Sequence, residues 1–108
     1  MKQLASTLPD FVSEIAEILN EENLQNLSAQ LPTAEIERCS YDRSVNAGYI
    51  YLVRPTYLKD SPPVFAETFA YAGPHWFNID VDVHGNILGI ELLSRNDVFD
   101  KLRDANVL

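Results

Sequence analysis

Trp76-Phe77-Asn78-Ile79-Asp80-Val81-Asp82-Val83-His84-Gly85-Asn86-Ile87-Leu88-Gly89-Ile90-Glu91-Leu92-Leu93 is the stretch whose reading decides the fold. Two runs alternate apolar and polar residues around the turn residues Gly85 and Asn86. Strand side chains alternate faces with period 2, so a β-hairpin is expected whether the two-residue turn is His84-Gly85 or Gly85-Asn86. One face then carries Phe77, Ile79, Val81, Val83, Leu88, Ile90 and Leu92, and the other carries Asn78, Asp80, Asp82, Gly89 and Glu91. The first face requires a core to pack on. The second holds the carboxylates of Asp80, Asp82 and Glu91, which a core could not accept unpaired.

Working outward, Ala34 to Tyr41, Tyr49 to Val53 and Phe65 to Tyr71 read as three further strands, the second of them built from aromatic and β-branched residues. Asp42 to Gly48 and Ala72-Gly73-Pro74 supply turn chemistry, while Arg54 to Pro63, with Pro55, Pro62 and Pro63, is an extended loop. Toward the N-terminus, Thr7 can cap a helix that has Pro9 and Asp10 in its first turn and an apolar stripe of Phe11, Ile15 and Ile18. Leu24, Leu27 and Leu31 form a second stripe about 150° around the axis from the first, so one straight helix cannot bury both. A break near Asn20 to Asn23 is expected, with Asn20 capping a second short helix that Pro32 ends. Val98, Phe99 and Leu102 predict a closing helix from Asp97 to Arg103, with Ser94 as its cap. The expectation is one α+β domain of 108 residues. It comprises an N-terminal helical hairpin over 1–32, an antiparallel meander sheet of about five strands over 33–93, and a short C-terminal helix with its tail over 94–108.

Sixteen acidic residues against eight basic ones give a net charge of −8. That surplus repels nucleic acid and anionic membranes and speeds encounter with a basic partner. The segment from Phe11 to Leu31 has neither Lys nor Arg, so a DNA-reading helix pair is not expected there. The apolar runs are too short to span a bilayer, and no signal-peptide pattern follows Met1, so a cytoplasmic protein is expected. Cys39 is the only cysteine, which excludes an internal disulfide and a multi-thiolate metal site. His75 and His84 both fall at turns, and neither the nucleophile-and-base pattern of covalent catalysis nor a glycine-rich phosphate loop is present. No catalytic residue and no cofactor are assigned.

Tyr41-Asp42, Asn46-Ala47-Gly48-Tyr49-Ile50-Tyr51-Leu52, Glu67-Thr68 and the hairpin through Gly89-Ile90-Glu91-Leu92-Leu93 together resemble a small bacterial family catalogued as domain of unknown function 2283. The likeness covers Tyr41 to Leu93, about half of the chain. Members carry a Tyr-Asp pair, an Asp-Ala-x-Tyr-Ile strand and an acidic hairpin, and Asn46 stands here in place of the usual Asp. The family's activity is uncharacterised. Some members look like partners of a neighbouring toxin of the ribonuclease type, so the resemblance implies an antitoxin.

The candidate partner-binding residues are Asp80, Asp82, Glu91 and Asn78 on the polar hairpin face, with Tyr49, Tyr51 and Trp76 as aromatic anchors. A basic nuclease holds phosphates with Lys and Arg, and a carboxylate-bearing sheet can occupy the same groups and exclude the nucleic acid. The expected function is therefore that of an immunity protein or antitoxin that neutralises a basic protein toxin by covering its active surface. The alternative is a small metal- or ligand-binding domain using the same carboxylates. The alternation lacks the spaced Asp/Asn loop of a dedicated calcium site, so no metal ligand is assigned.

Overall fold

The computed structural model describes residues 1–55, 58, 62–71, 73 and 76–108. In it the hairpin forms as β4 (Phe77–Asp82) and β5 (Ile87–Leu93), with Phe77 facing Leu92 and Ile79 facing Ile90 across the ladder. All four side chains are buried, and each such burial contributes on the order of 2 kcal/mol. β1 (Ile36–Asp42), β2 (Ala47–Leu52) and β3 (Phe65–Tyr71) complete a five-stranded sheet whose pairings are all antiparallel.

The strand order is β1-β2-β5-β4-β3, not the sequential order of a simple meander. Consecutive strands pair where tight turns join them, but the segment from Val53 to Val64 is too long for a hairpin turn. It lets β3 pair at the far side, and β5 returns to fill the place beside β2. Part of that proline-bearing loop, together with Ala72, Pro74 and His75, lies outside the described residues.

Side-chain parity fails at the hairpin tip. Asp82, expected on the polar face, is only 3% exposed. Its Oδ1 accepts the backbone N–H of His84 at 2.8 Å and of Asn86 at 2.9 Å, and Asn86 Nδ2 approaches Oδ2 at 3.4 Å. The backbone closes the same turn, with the Gly85 N–H donating to the Asp82 carbonyl at 3.1 Å and Gly85 at φ 81°. This side-chain-closed turn takes the residues from Val83 to Asn86 and shifts the register between Asp80 and Val81, so that Val81 faces Ile87. Ile87 therefore enters the core, Leu88 is half-buried and Val83 points to solvent. Burial pushes the Asp82 carboxyl up, but the backbone N–H groups of Asn86 and His84 outweigh it and hold the group below the usual carboxylate range.

The helices are α1 (Leu4–Thr7), α2 (Pro9–Glu21), α3 (Gln25–Ser28) and α4 (Asn96–Asp104), with a 3-10 turn at Leu31–Thr33. Pro9 opens α2 as expected, but Thr7 lies in α1, where its hydroxyl donates to the Gln3 carbonyl at 2.7 Å instead of capping α2. The expected second helix is a single turn. Asn23, at φ 61°, stops α2, and Pro32 sits in the 3-10 turn. Phe11, Ile15 and Leu19 of α2, Leu27, Leu31, and Val98, Phe99 and Leu102 of α4 cover the apolar sheet face. Arg95 ties the two long helices. It reaches Glu14 at 3.1 Å and Asp97 at 3.0 Å, and its guanidinium stands 5.7 Å from the Phe11 ring centre. Among the described residues, no helix is long and apolar enough to cross a membrane.

Asp82→Ala should lower unfolding stability by about 2 kcal/mol in urea melts at neutral pH, because two N–H groups of a partly buried turn lose their acceptor. The folded carboxyl value is depressed, so this stabilisation is present above the ordinary value of 3.8 and is lost as pH falls through the folded one. The deficit of the variant should accordingly shrink in melts run below about pH 4.

Candidate functional site

The inward residues of the sheet, Ile50, Leu52, Phe77, Ile79, Ile90 and Leu92, all join the helices in one core. The alternate residues of the same strands, among them Arg38, Tyr49, Tyr51, Asn78, Asp80 and Glu91, are half-buried or exposed. No described helix packs on them, so this face of the sheet is open.

The register sets the neighbours on that face. Tyr49 stands between Ser40 and Glu91, and Tyr51 between Arg38 and Gly89. Asp80 stands between Gly89 and Thr68, and Asn78 between Glu91 and Ala70. Gly89 is what lets the pieces meet: a methyl group there would collide with the Tyr49 ring and would lie 2.7 Å from the Ile50 carbonyl oxygen. With no side chain in the way, Tyr49 crosses β5 and its hydroxyl donates to Asp80 Oδ2 at 2.7 Å. Thr68 donates to the other oxygen, Oδ1, at 2.6 Å, so both oxygens of Asp80 are held from opposite sides. Asn78 Nδ2 donates to Glu91 Oε1 at 2.8 Å. The Tyr49 and Tyr51 rings are 4.5 Å apart, and the Arg38 guanidinium lies 3.6 Å over Tyr51. Burial, followed by the hydrogen bond to Asp80 and its charge, raises the Tyr49 hydroxyl above the usual tyrosine value, which keeps it a donor at neutral pH.

Trp76 precedes β4, and its carbonyl accepts the Leu93 N–H at 3.5 Å. Alternation with the buried Phe77 places it at the end of the open face, where it is 51% exposed. Six of the seven residues expected from sequence, Tyr49, Tyr51, Trp76, Asn78, Asp80 and Glu91, thus share one surface, while Asp82 is withdrawn into its turn. Tyr71 lies on the other face, 5.2 Å from the Phe77 ring.

Arg38, Thr68 and Gly89 were not among the site residues expected from sequence, although Thr68 and Gly89 fall in the motifs that carry the resemblance. A glycine interrupting an alternating strand is a signal of close approach, and it marked the place where Tyr49 crosses. His84 is exposed at the turn, and His75 lies outside the described residues. Burial pushes the Cys39 thiol up to about 11, so it is not a thiolate at neutral pH. Among the described residues, no three His, Cys, Asp or Glu side chains are grouped as a metal would require.

No family model, curated protein or solved structure matches the chain.

Gly89→Ala should destabilise the fold by about 2 kcal/mol in denaturant melts, because the added methyl must displace the Tyr49 ring from its place over β5. Tyrosine fluorescence, reporting a loosened ring, should change with it.

Proposed function

We propose that the chain is an acidic cytoplasmic protein-binding module of the immunity-protein or antitoxin class, which neutralises a basic protein toxin such as a nuclease by covering its active surface. The observation that carries this reading is the open sheet face, where Trp76, Tyr49 and Tyr51 stand beside the carboxylates of Asp80 and Glu91. Large aromatic side chains supply most of the energy of a protein interface, and they cost little entropy when they are already held in place. Tyr49 is so held, pinned over Gly89 and bonded to Asp80.

The two acids do different things. Both Asp80 oxygens are engaged by hydroxyl donors, which leaves the charge in place but fixes its position. Glu91 spends one oxygen on Asn78, so the other can accept from an incoming Arg or Lys. Glu17, Glu21 and Glu22 at the C-terminal end of α2 are exposed as well, and together with the net charge of −8 they add a long-range attraction for a basic body. A toxin that uses Lys and Arg to hold nucleic acid would meet this face with the same side chains.

Affinity capture of the tagged protein from its native cells, with salt elution and mass spectrometry, should release a small basic protein. With that protein in hand, Glu91→Lys should slow association by about tenfold at low salt and less at high salt. Trp76→Ala should speed dissociation by about tenfold or more. If a doubly substituted Glu91→Lys/Trp76→Ala protein captured the same target with unchanged rates, the open face would be ruled out as the contact.

A further inference from the structure

The two edges of the sheet are unlike. At the β1 edge the N-terminal residues cover the start of the strand: Ile36 donates to the Lys2 carbonyl at 2.8 Å, and Gln3 bridges to Glu35. Glu37, Arg38 and Asp42 then charge the rest of that strand. Charges and coverage of this kind keep an edge from pairing with another chain. β3, by contrast, pairs with β4 alone among the described residues, and from Phe65 to Tyr71 it carries one charge, Glu67. The apolar side chains at its start are exposed, with Val64 at 50% and Phe65 at 57%, and Val83 beside them donates its N–H to the Val64 carbonyl at 3.1 Å.

We propose that the outer edge of β3 pairs with β3 of a second copy of this chain, antiparallel and about a two-fold axis at Phe69. The bulge between Phe65 and Glu67 leaves Glu67 to Tyr71 as the regular part of the strand, and Phe69 is its midpoint. In that register Glu67 faces Tyr71 of the other copy, Thr68 faces Ala70, and Phe69 faces its own equivalent.

Charge decides between occupants. Two copies at −8 each repel over most of their surface, yet this register never sets Glu67 against itself. It sets the carboxylate opposite the half-buried Tyr71 phenol, and does so twice by symmetry. A strand with one acid offers a basic protein little to hold, whereas an equally charge-poor strand fits it. Thr68 and Ala70, both short, allow the usual strand spacing on the open face. The product is one sheet running through both copies, with the two open faces side by side. This inference does not depend on the identity of any toxin.

Sedimentation of the full chain from about 1 μM to about 1 mM tests it. A concentration-dependent dimer is expected, and it should tighten as salt screens the repulsion between the acidic bodies, opposite to the salt response of a basic partner. Tyr71→Phe keeps the ring against Phe77, so it should leave the melting temperature unchanged while weakening the dimer by about tenfold. Ala70→Lys, at an exposed position, should leave only monomer, whereas Glu91→Lys on the open face should leave the dimer intact. A monomer across the whole range overturns the proposal and leaves the edge to a strand from another protein. A dimer that survives Ala70→Lys overturns the choice of edge, and one that ignores Tyr71→Phe overturns the register.

Discussion

One buried carboxylate sets the geometry on which the rest of the sheet depends. Asp82 gathers the N–H groups of His84 and Asn86 on a single oxygen and so closes the β4–β5 turn from the side. That turn fixes the register. Val81 is set against Ile87, Asp80 against Gly89 and Asn78 against Glu91, and a slip of one residue would carry every one of these side chains to the wrong face. The helix layer fastens the same turn from outside. Gln30 donates to the Gly85 carbonyl at 2.8 Å, and its Oε1 accepts the Ile87 N–H at 2.9 Å, so one amide serves the hairpin tip as a strand neighbour would. The open face is therefore positioned by contacts that lie at the other end of its strands.

The first hairpin repeats the device in milder form. Asp42 accepts the backbone N–H of Ser44 at 2.9 Å and its hydroxyl at 2.6 Å, and these bonds hold the carboxyl below its usual value. Asn46, at φ 49°, completes that turn and accepts the Tyr41 hydroxyl at 2.8 Å, while Tyr41 itself stacks on Phe99 of α4 at 4.6 Å. The exposed Asp42 turn and the buried Asp82 turn thus anchor the sheet to α4 on one side and to the α3 region on the other.

Much of this was legible in the residues, and the failures have physical causes. The alternation of Phe77, Ile79 and Val81 with Ile90 and Leu92 placed the core face correctly, because burial of one face is what such alternation records. The same reasoning put Asp82 on the wrong side. Parity assumes that a polar side chain seeks water, and this one finds backbone donors instead. An aspartate side chain readily accepts the backbone N–H two residues on, and Asp82 ahead of His84-Gly85-Asn86 offered that turn closure. Strand order was not legible, because a long proline-bearing connection does not say which edge it returns to. The second N-terminal helix proved to be one turn because Leu24, Leu27 and Leu31 can reach the core from a chain that keeps bending. The open face was read in outline from its carboxylates and tyrosines, but Arg38 and Thr68 join it only through pairings with strands distant in sequence.

The joint of Tyr49 over Gly89 has a consequence for how such a surface can diversify. The joint ties β2 through β5 to β4 by ring contact and a hydrogen bond, and it asks nothing of the exposed positions around it. Arg38, Ser40, Ala70 and Trp76 can be exchanged without touching the core, so drift at those positions alters what the face recognises while the scaffold stays constant. Descendants of such a chain can retain the same aromatic hinge and differ in their targets, and lineages that keep Tyr49, Gly89 and Asp80 together would share a skeleton long after their binding preferences have parted.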